Sequence, residues 1–105
     1  MVESAGSVVG FAVAVVVAGE GEIESIAVAP GWQRRGIGMA LLRELQRALE
    51  AEGALAIVLE VRETNRAAAS LYAQAGFREV GRREGYYRDP VEDAVVMQLQ
   101  MAQLS

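Results

Sequence analysis

Hydrophobic positions change their spacing several times along this chain, and each change marks an element. Residues 8–17, Val-Val-Gly-Phe-Ala-Val-Ala-Val-Val-Val, form an apolar run rich in β-branched side chains. Such a run suits a strand covered on both faces. Gly19-Glu20-Gly21 reads as a turn, and Ile23 to Val28 as a second strand, with Glu22 and Glu24 alternating against Ile23. The two strands are expected to form a hairpin, stopped by Ala29-Pro30-Gly31. From Gly36 to about Glu52 the period lengthens: Ile37, Leu41, Leu45, Ala48 and Leu49 fall on one side, and Arg43, Glu44, Arg47 and Glu50 on the other. That is an amphipathic helix, with Gly53 just past its end. Ala54 to Val61 is a further buried strand, and Asn65 can cap a helix running through Ala75 and closed by Gly76. Phe77 to Arg82 and Ala94 to Met101 read as the last strands, flanking a polar loop with Tyr86, Tyr87 and Pro90. The order β-β-α-β-α-β-β predicts an α/β architecture with a mixed sheet.

Composition narrows what such a fold can do. The 105 residues suit a single domain, and with 52% apolar but only 6% aromatic residues its core must be built from Val, Ala and Leu. The chain has neither cysteine nor histidine. Disulfides, thiolate metal sites, a cysteine nucleophile, a Ser-His-Asp triad and any histidine base are thereby excluded, and no metal is expected. A formal charge of −4 argues against a general nucleic-acid binder, although the pairs Arg34-Arg35 and Arg82-Arg83 leave room for a local anion site. The apolar run from Val8 to Ala18 is 11 residues, far short of the about 20 needed to span a bilayer as a helix. Met1-Val2-Glu3-Ser4 before it carries no positive charge, unlike a secretory leader. The expectation is a cytoplasmic protein without a membrane partner.

Three segments can carry chemistry. Gln33-Arg34-Arg35-Gly36-Ile37-Gly38-Met39-Ala40 stands between a strand and the first helix, where unpaired N–H groups and the helix dipole favour an anion. Two glycines allow close approach to that backbone and two arginines add charge, which suits a pyrophosphate. The spacing fits neither a P-loop nor the dinucleotide fingerprint. Glu60 ends a buried strand, a place from which a carboxylate can act as general base; a salt bridge to Arg62 or another arginine is the plainer alternative. Asn65 to Gly76 is a helix with small residues at 67–69 and with Tyr72, which is either a proton donor or an ordinary core tyrosine. Asn65 is equally well read as a simple cap.

Taken together these segments resemble the GNAT superfamily of N-acetyltransferases. Gln33-x-x-Gly36-x-Gly38, after Ile26-Ala27-Val28-Ala29-Pro30, is similar to that family's pyrophosphate motif. Leu59-Glu60-Val61-Arg62, Asn65 to Tyr72, Ala75-Gly76-Phe77 and the late Tyr86-Tyr87 look most like the type that acetylates the N-terminal alanine of a ribosomal protein. The resemblance covers residues 8–101 and implies an α+β fold with a mostly antiparallel central sheet and two main helices. It implies acetyl-CoA as co-substrate, held by Gln33, Arg34, Arg35, Gly36, Ile37, Gly38, Met39 and Ala40 at the pyrophosphate. Ile26, Ala27 and Val28 would pair with the pantetheine arm, and Asn65 would hydrogen-bond it. Glu60 would be the base, and Tyr72 the acid that meets the departing thiolate. Glu24, Tyr86 and Tyr87 would face a peptide amine. Typical members carry a further strand and one or two helices ahead of this segment, so an apolar edge covered by a second copy, a homodimer, is a further expectation. Two rival readings are an acyl-CoA-binding regulatory module without catalysis and a small-molecule amine acetyltransferase.

Overall fold

The computed structural model describes residues 2–4, 7–28 and 36–101, with side chains over 14–23 and 36–101. Six strands and two helices follow one another as β1 (Val2–Ser4), β2 (Ser7–Val17), β3 (Glu20–Val28), α1 (Ile37–Ala51), β4 (Ala56–Arg62), α2 (Arg66–Gln74), β5 (Arg78–Tyr87) and β6 (Glu92–Gln100). They form one sheet in the order β1-β2-β3-β4-β6-β5. Every neighbouring pair is antiparallel except β3 and β4, which are joined through α1. A parallel pair needs a crossover, and the amphipathic stretch after Gly36 provides it.

Both helices pack on one face of this sheet. Ile57, Leu59 and Val61 alternate with less buried residues along β4 and point to that face, where they meet Leu42 and Leu49 of α1 and Tyr72 of α2. Ile23, Phe77 and Met97 complete the core. Glycine sets the helix distances. A side chain on Gly21 would reach Leu49 Cδ1 at 3.2 Å and Ile57 Cγ1 at 3.4 Å, and one on Gly38 would reach Leu71 Cδ2 at 3.1 Å. The helix ends follow the expected chemistry: Gly53 and Gly76 take φ of 92° and 104°, and Asn65 Oδ1 accepts from the Ala68 N–H at 3.2 Å.

Three expectations need correction. A short strand, β1, precedes the predicted first one. Where its side chains are described, at residues 14–17, the apolar run of β2 is not covered on both faces: Ala14 and Val16 pack on the core, but Val15 and Val17 are 38% and 57% exposed. Continuous hydrophobicity overstated burial at Val15 and Val17, because among the described residues both helices lie on the other face. Tyr86 and Tyr87 belong to strand β5, not to a loop. β5 is an edge strand, exposed along most of its length, so it shows no apolar alternation from which its extent can be read. Among the described residues no helix is long and apolar enough to cross a membrane.

Candidate active site

The parallel pair does not stay paired. β3 and β4 are in register from Glu20↔Ala56 to Ile23↔Leu59, and beyond that point both strands continue without pairing to each other. The cause lies on the other side of β3. Ala14 pairs with Ile23 and Val13 with Ser25, so Glu24 is an extra residue with no partner on β2. Such a bulge bends its strand and increases the local twist. It sits at the position where β3 leaves β4. Residues 25–28 of β3 therefore keep β2 on one edge and present main-chain groups on the other, toward the gap. Ile26, Ala27 and Val28 lie on this stretch, and Glu24 is the bulged residue itself.

The gap opens toward the C-terminal ends of both parallel strands, which is also where both helices begin. The two helix starts differ. α2 is capped by its own Asn65, whose backbone N–H in turn donates to the Arg62 carbonyl at 2.9 Å. α1 has no side-chain cap and no acidic residue in its first turn. Its first internal bond runs from the Ala40 N–H to the Gly36 carbonyl at 3.0 Å. The N–H groups of Ile37, Gly38 and Met39 precede that bond and have no partner within the helix. Gly36 stands at this end with φ 75°, exposed, and among the described residues nothing lies within 4 Å of where a side chain would start. The two glycines of the motif thus have different work. Gly36 leaves the helix start open, while Gly38 makes room for Leu71 of α2. Gln33, Arg34 and Arg35 lie outside the described residues.

Glu60 faces away from the helices. On that opposite sheet face a groove of about 490 Å³ is lined by Glu20, Glu22, Val58, Glu60, Arg83 and Tyr86. Cross-strand partners share a face, and the register brings Val17 beside Glu20, Val15 beside Glu22, and Glu22 beside Val58. Glu60, 27% exposed, contacts Arg83 Nε through Oε1 at 3.3 Å. The ion pair expected as its plainer alternative is therefore present, with Arg83 rather than Arg62. Arg62 is committed elsewhere: it contacts Glu92 at 3.1 Å, donates to the Arg88 carbonyl and lies 4.3 Å from the centre of the Tyr87 ring.

Tyr72 lies on the helix side, 6% exposed, with its ring 5.9 Å from that of Phe77. Burial, and next the neighbouring Tyr87, raise its hydroxyl above the ordinary tyrosine value of 10.0, so it holds its proton at neutral pH. Glu60 and Tyr72 do not share a face; the gap between β3 and β4 is what lies between the two sides of the sheet. Tyr87 is also shifted upward, first by burial and then by Glu60. Tyr86 and Tyr87 meet edge to face at 5.1 Å. Tyr86 lines the groove, whereas Tyr87 packs under Arg62.

Arg82 and Arg83, a pair that left room for a local anion site, both face carboxylates instead. Arg82 is surrounded by carboxylates, Glu63 at 3.1 Å, Asp93 at 3.6 Å and Glu79 at 3.7 Å, while Arg83 turns to Glu60. Sequence reasoning also missed Glu20, Glu22 and Arg83 as groove residues. Strand alternation was the available signal, since it puts Glu20 and Glu22 on one face and separates Arg82 from Arg83.

Comparison with known proteins gives this arrangement a family. A sequence profile described as the acetyltransferase (GNAT) family matches residues 1–77. The chain belongs to the GNAT family. It is 44% identical over 96 residues to the [Ribosomal protein bS18]-alanine N-acetyltransferase of Escherichia coli K12, covering 90% of this chain and 65% of that protein. It is 46% identical over 78 residues to the N-alpha-acetyltransferase RimI of Mycobacterium tuberculosis, covering 74% of this chain and 48% of the relative. The crystal structure of the ribosomal-protein-S18-alanine N-acetyltransferase from Escherichia coli superposes with a TM-score of 0.89 at 40% identity, over 98% of this chain and 68% of that one. The chain spans less than two thirds of the length of these two relatives. The expected fold, a mostly antiparallel mixed sheet with two main helices, is the GNAT fold observed.

Proposed function

We propose that this chain is an acetyl-CoA-dependent N-acetyltransferase acting on the α-amino group of a protein N-terminus. The observation that carries this reading is the open, uncapped start of α1 beside the splayed end of β3 and β4, in a chain 44% identical to a bS18-alanine N-acetyltransferase. The residues fit acetyl-CoA. The N–H groups at Ile37 to Met39, with Gly36 leaving space before them, suit a pyrophosphate, and Gln33, Arg34, Arg35 and Ala40 extend the same segment. The free edge of Ile26, Ala27 and Val28 suits an extended amide-bearing arm added as a strand. Asn65 spends its Oδ1 on capping, which leaves its amide N–H groups to donate to that arm. When bound, acetyl-CoA supplies the thioester carbonyl that is attacked.

The chain's own groups manage the protons. An α-amino group has a reference pKa of about 7.7–8.0, so part of it is neutral at neutral pH. As the C–N bond forms, the Glu60 carboxylate takes one proton from the attacking nitrogen, directly or through a water. The Tyr72 hydroxyl gives a proton to the departing thiolate sulfur, and burial keeps that proton on until it is needed. A main-chain N–H of residues 26–28 stabilises charge on the carbonyl oxygen. With no cysteine in the chain, the amine attacks the thioester without a covalent cysteine intermediate. Glu20 and Glu22 give the acceptor side a negative character that suits a protonated amine, and Tyr86 borders it. A ribosomal-protein acceptor, as named for the relatives, supports action in the cytoplasm.

Two measurements test this reading. Acetyl-CoA and CoA are expected to raise the melting temperature while NAD does not, and CoA is expected to be released with peptides carrying a free N-terminal alanine. Glu60→Gln is expected to lower turnover by about 10²–10⁴-fold with acetyl-CoA affinity unchanged. Equal rates for mutant and parent across the neutral pH range would remove Glu60 as the base. Release of CoA only with polyamines or amino acids would move the acceptor from proteins to small molecules.

A further inference from the structure

We infer that Arg83 is a positioning residue for Glu60: it holds one carboxylate oxygen and leaves the other to meet the acceptor amine. This rests on the reading of Glu60 as general base. Arg83 touches Glu60 at a single point, Nε to Oε1 at 3.3 Å. Among the described residues the second oxygen has neither a hydrogen bond nor an ion pair. A carboxylate held at one end keeps a defined orientation and retains an acceptor for a proton.

Arg83 is itself held in place. Its guanidinium lies 5.7 Å from the centre of the Tyr86 ring, so it stands between the aromatic wall of the groove and the carboxylate. The backbone that delivers both residues is irregular. Pairing of β5 with β6 shifts between Arg83 and Tyr87, and Gly85 takes φ 58° within the irregularity. Asp93 fixes it from the neighbouring strand: one carboxylate oxygen accepts from the Gly85 N–H at 2.9 Å, and the other faces Arg82 Nη1 at 3.6 Å. Arg83, opposite Ala94, and Tyr86, within the irregularity, both reach the groove.

Stability does not account for this arrangement. The Arg83 side chain is 59% exposed, and ion pairs so open to water contribute little to folding. Orientation of a reacting group is different, because small misplacements cost large factors in rate. Arg83 is also the cation that the groove sets against Glu20, Glu22 and Glu60. With Oε1 occupied by a guanidinium, an incoming ammonium is steered to Oε2.

Steady-state kinetics of the full chain with acetyl-CoA and an alanine-initiated peptide test the inference. Arg83→Ala and Arg83→Gln are expected to lower kcat about ten-fold, with KM for acetyl-CoA unchanged. Arg83→Lys, which keeps the charge without the planar fork, is expected to recover most of the loss. In a Glu60→Gln background Arg83→Ala should cost nothing more, because its effect passes through the carboxylate. A parent-like kcat for Arg83→Ala and Arg83→Gln, with Glu60→Gln slow, overturns the role of Arg83 and leaves the base standing. Multiplying losses in the double variant overturn it as well. If Glu60→Gln turns over as fast as the parent, or the parent releases no CoA, the catalytic reading fails first and the inference falls with it.

Discussion

Arg82 and Arg83 are neighbours in the sequence, yet one meets Glu63, Glu79 and Asp93 while the other meets Glu60. Successive side chains on a strand point to opposite faces, so a pair that reads as a double charge is divided by the fold. Tyr72 shows the same dependence on surroundings. Its hydroxyl is shifted above 10.0 by burial first and Tyr87 second, so the neutral form persists through the pH range in which an acceptor amine loses its proton. In an alkaline titration followed by tyrosinate absorbance, the component missing from Tyr72→Phe is expected to have its midpoint above 10.0. A midpoint below that value would contradict the burial argument. Glu60, Tyr72 and Asn65 were legible as candidates because their residue types, at their places relative to a strand end or helix start, suit few tasks. Glu20, Glu22 and Arg83 were not, since their meeting depends on register between β2, β3, β4, β5 and β6, which no local pattern encodes.

At the level of elements, glycine marks where backbones approach. A side chain at Gly21 would press on Leu49, Ile57 and Ala54 at 3.2–3.5 Å, wedging β3 from α1 and β4. Gly21→Val is expected to cost about 1–3 kcal/mol in denaturant unfolding, as overpacking does. Gly81, on edge strand β5 with nothing within 4 Å, provides the contrast: Gly81→Ala is expected to change stability by no more than about 0.5 kcal/mol. Equal losses at both sites would show that strand glycine matters here for conformation and not for contact. The helices were readable to within a residue or two, since α1 repeats its apolar positions at helical spacing and α2 is bounded by Asn65 and Gly76. The strands were harder at their ends. β5 carries Arg, Glu and Gly through most of its length, and an edge strand has too little buried surface to impose a pattern.

Over the described residues the molecule is a sheet that carries both helices on one side, with its far end tied by a polar knot. Glu92 accepts from the Thr64 N–H at 2.6 Å, from the Thr64 hydroxyl at 2.5 Å and from Arg62 at 3.1 Å, joining the start of β6 to the turn after β4. The Thr64 hydroxyl foremost, then its N–H, and Arg62 hold this carboxyl below its ordinary value of 4.5. A lowered folded-state pKa stabilises fully above the unfolded value and stops doing so as pH falls through the folded one. Glu92→Gln is accordingly expected to melt below the parent at neutral pH, with the difference closing as the pH falls below 4.5. A gap that persists unchanged into acid would assign the loss to shape and not to charge. Element order was legible in the sequence, and so was a hairpin followed by two helix-containing crossovers. Which strands run side by side was not, because pairing across α1 and α2 is settled by the core as a whole. The same holds for the parting of β3 from β4. It comes from arithmetic: β3 spends two residues, Ile23 and Glu24, where β2 spends one. An odd count cannot be absorbed by exchanging one side chain for another. The entrance is written in chain length, so substitutions at position 24 leave the doorway standing, and only an insertion or a deletion nearby can shut it.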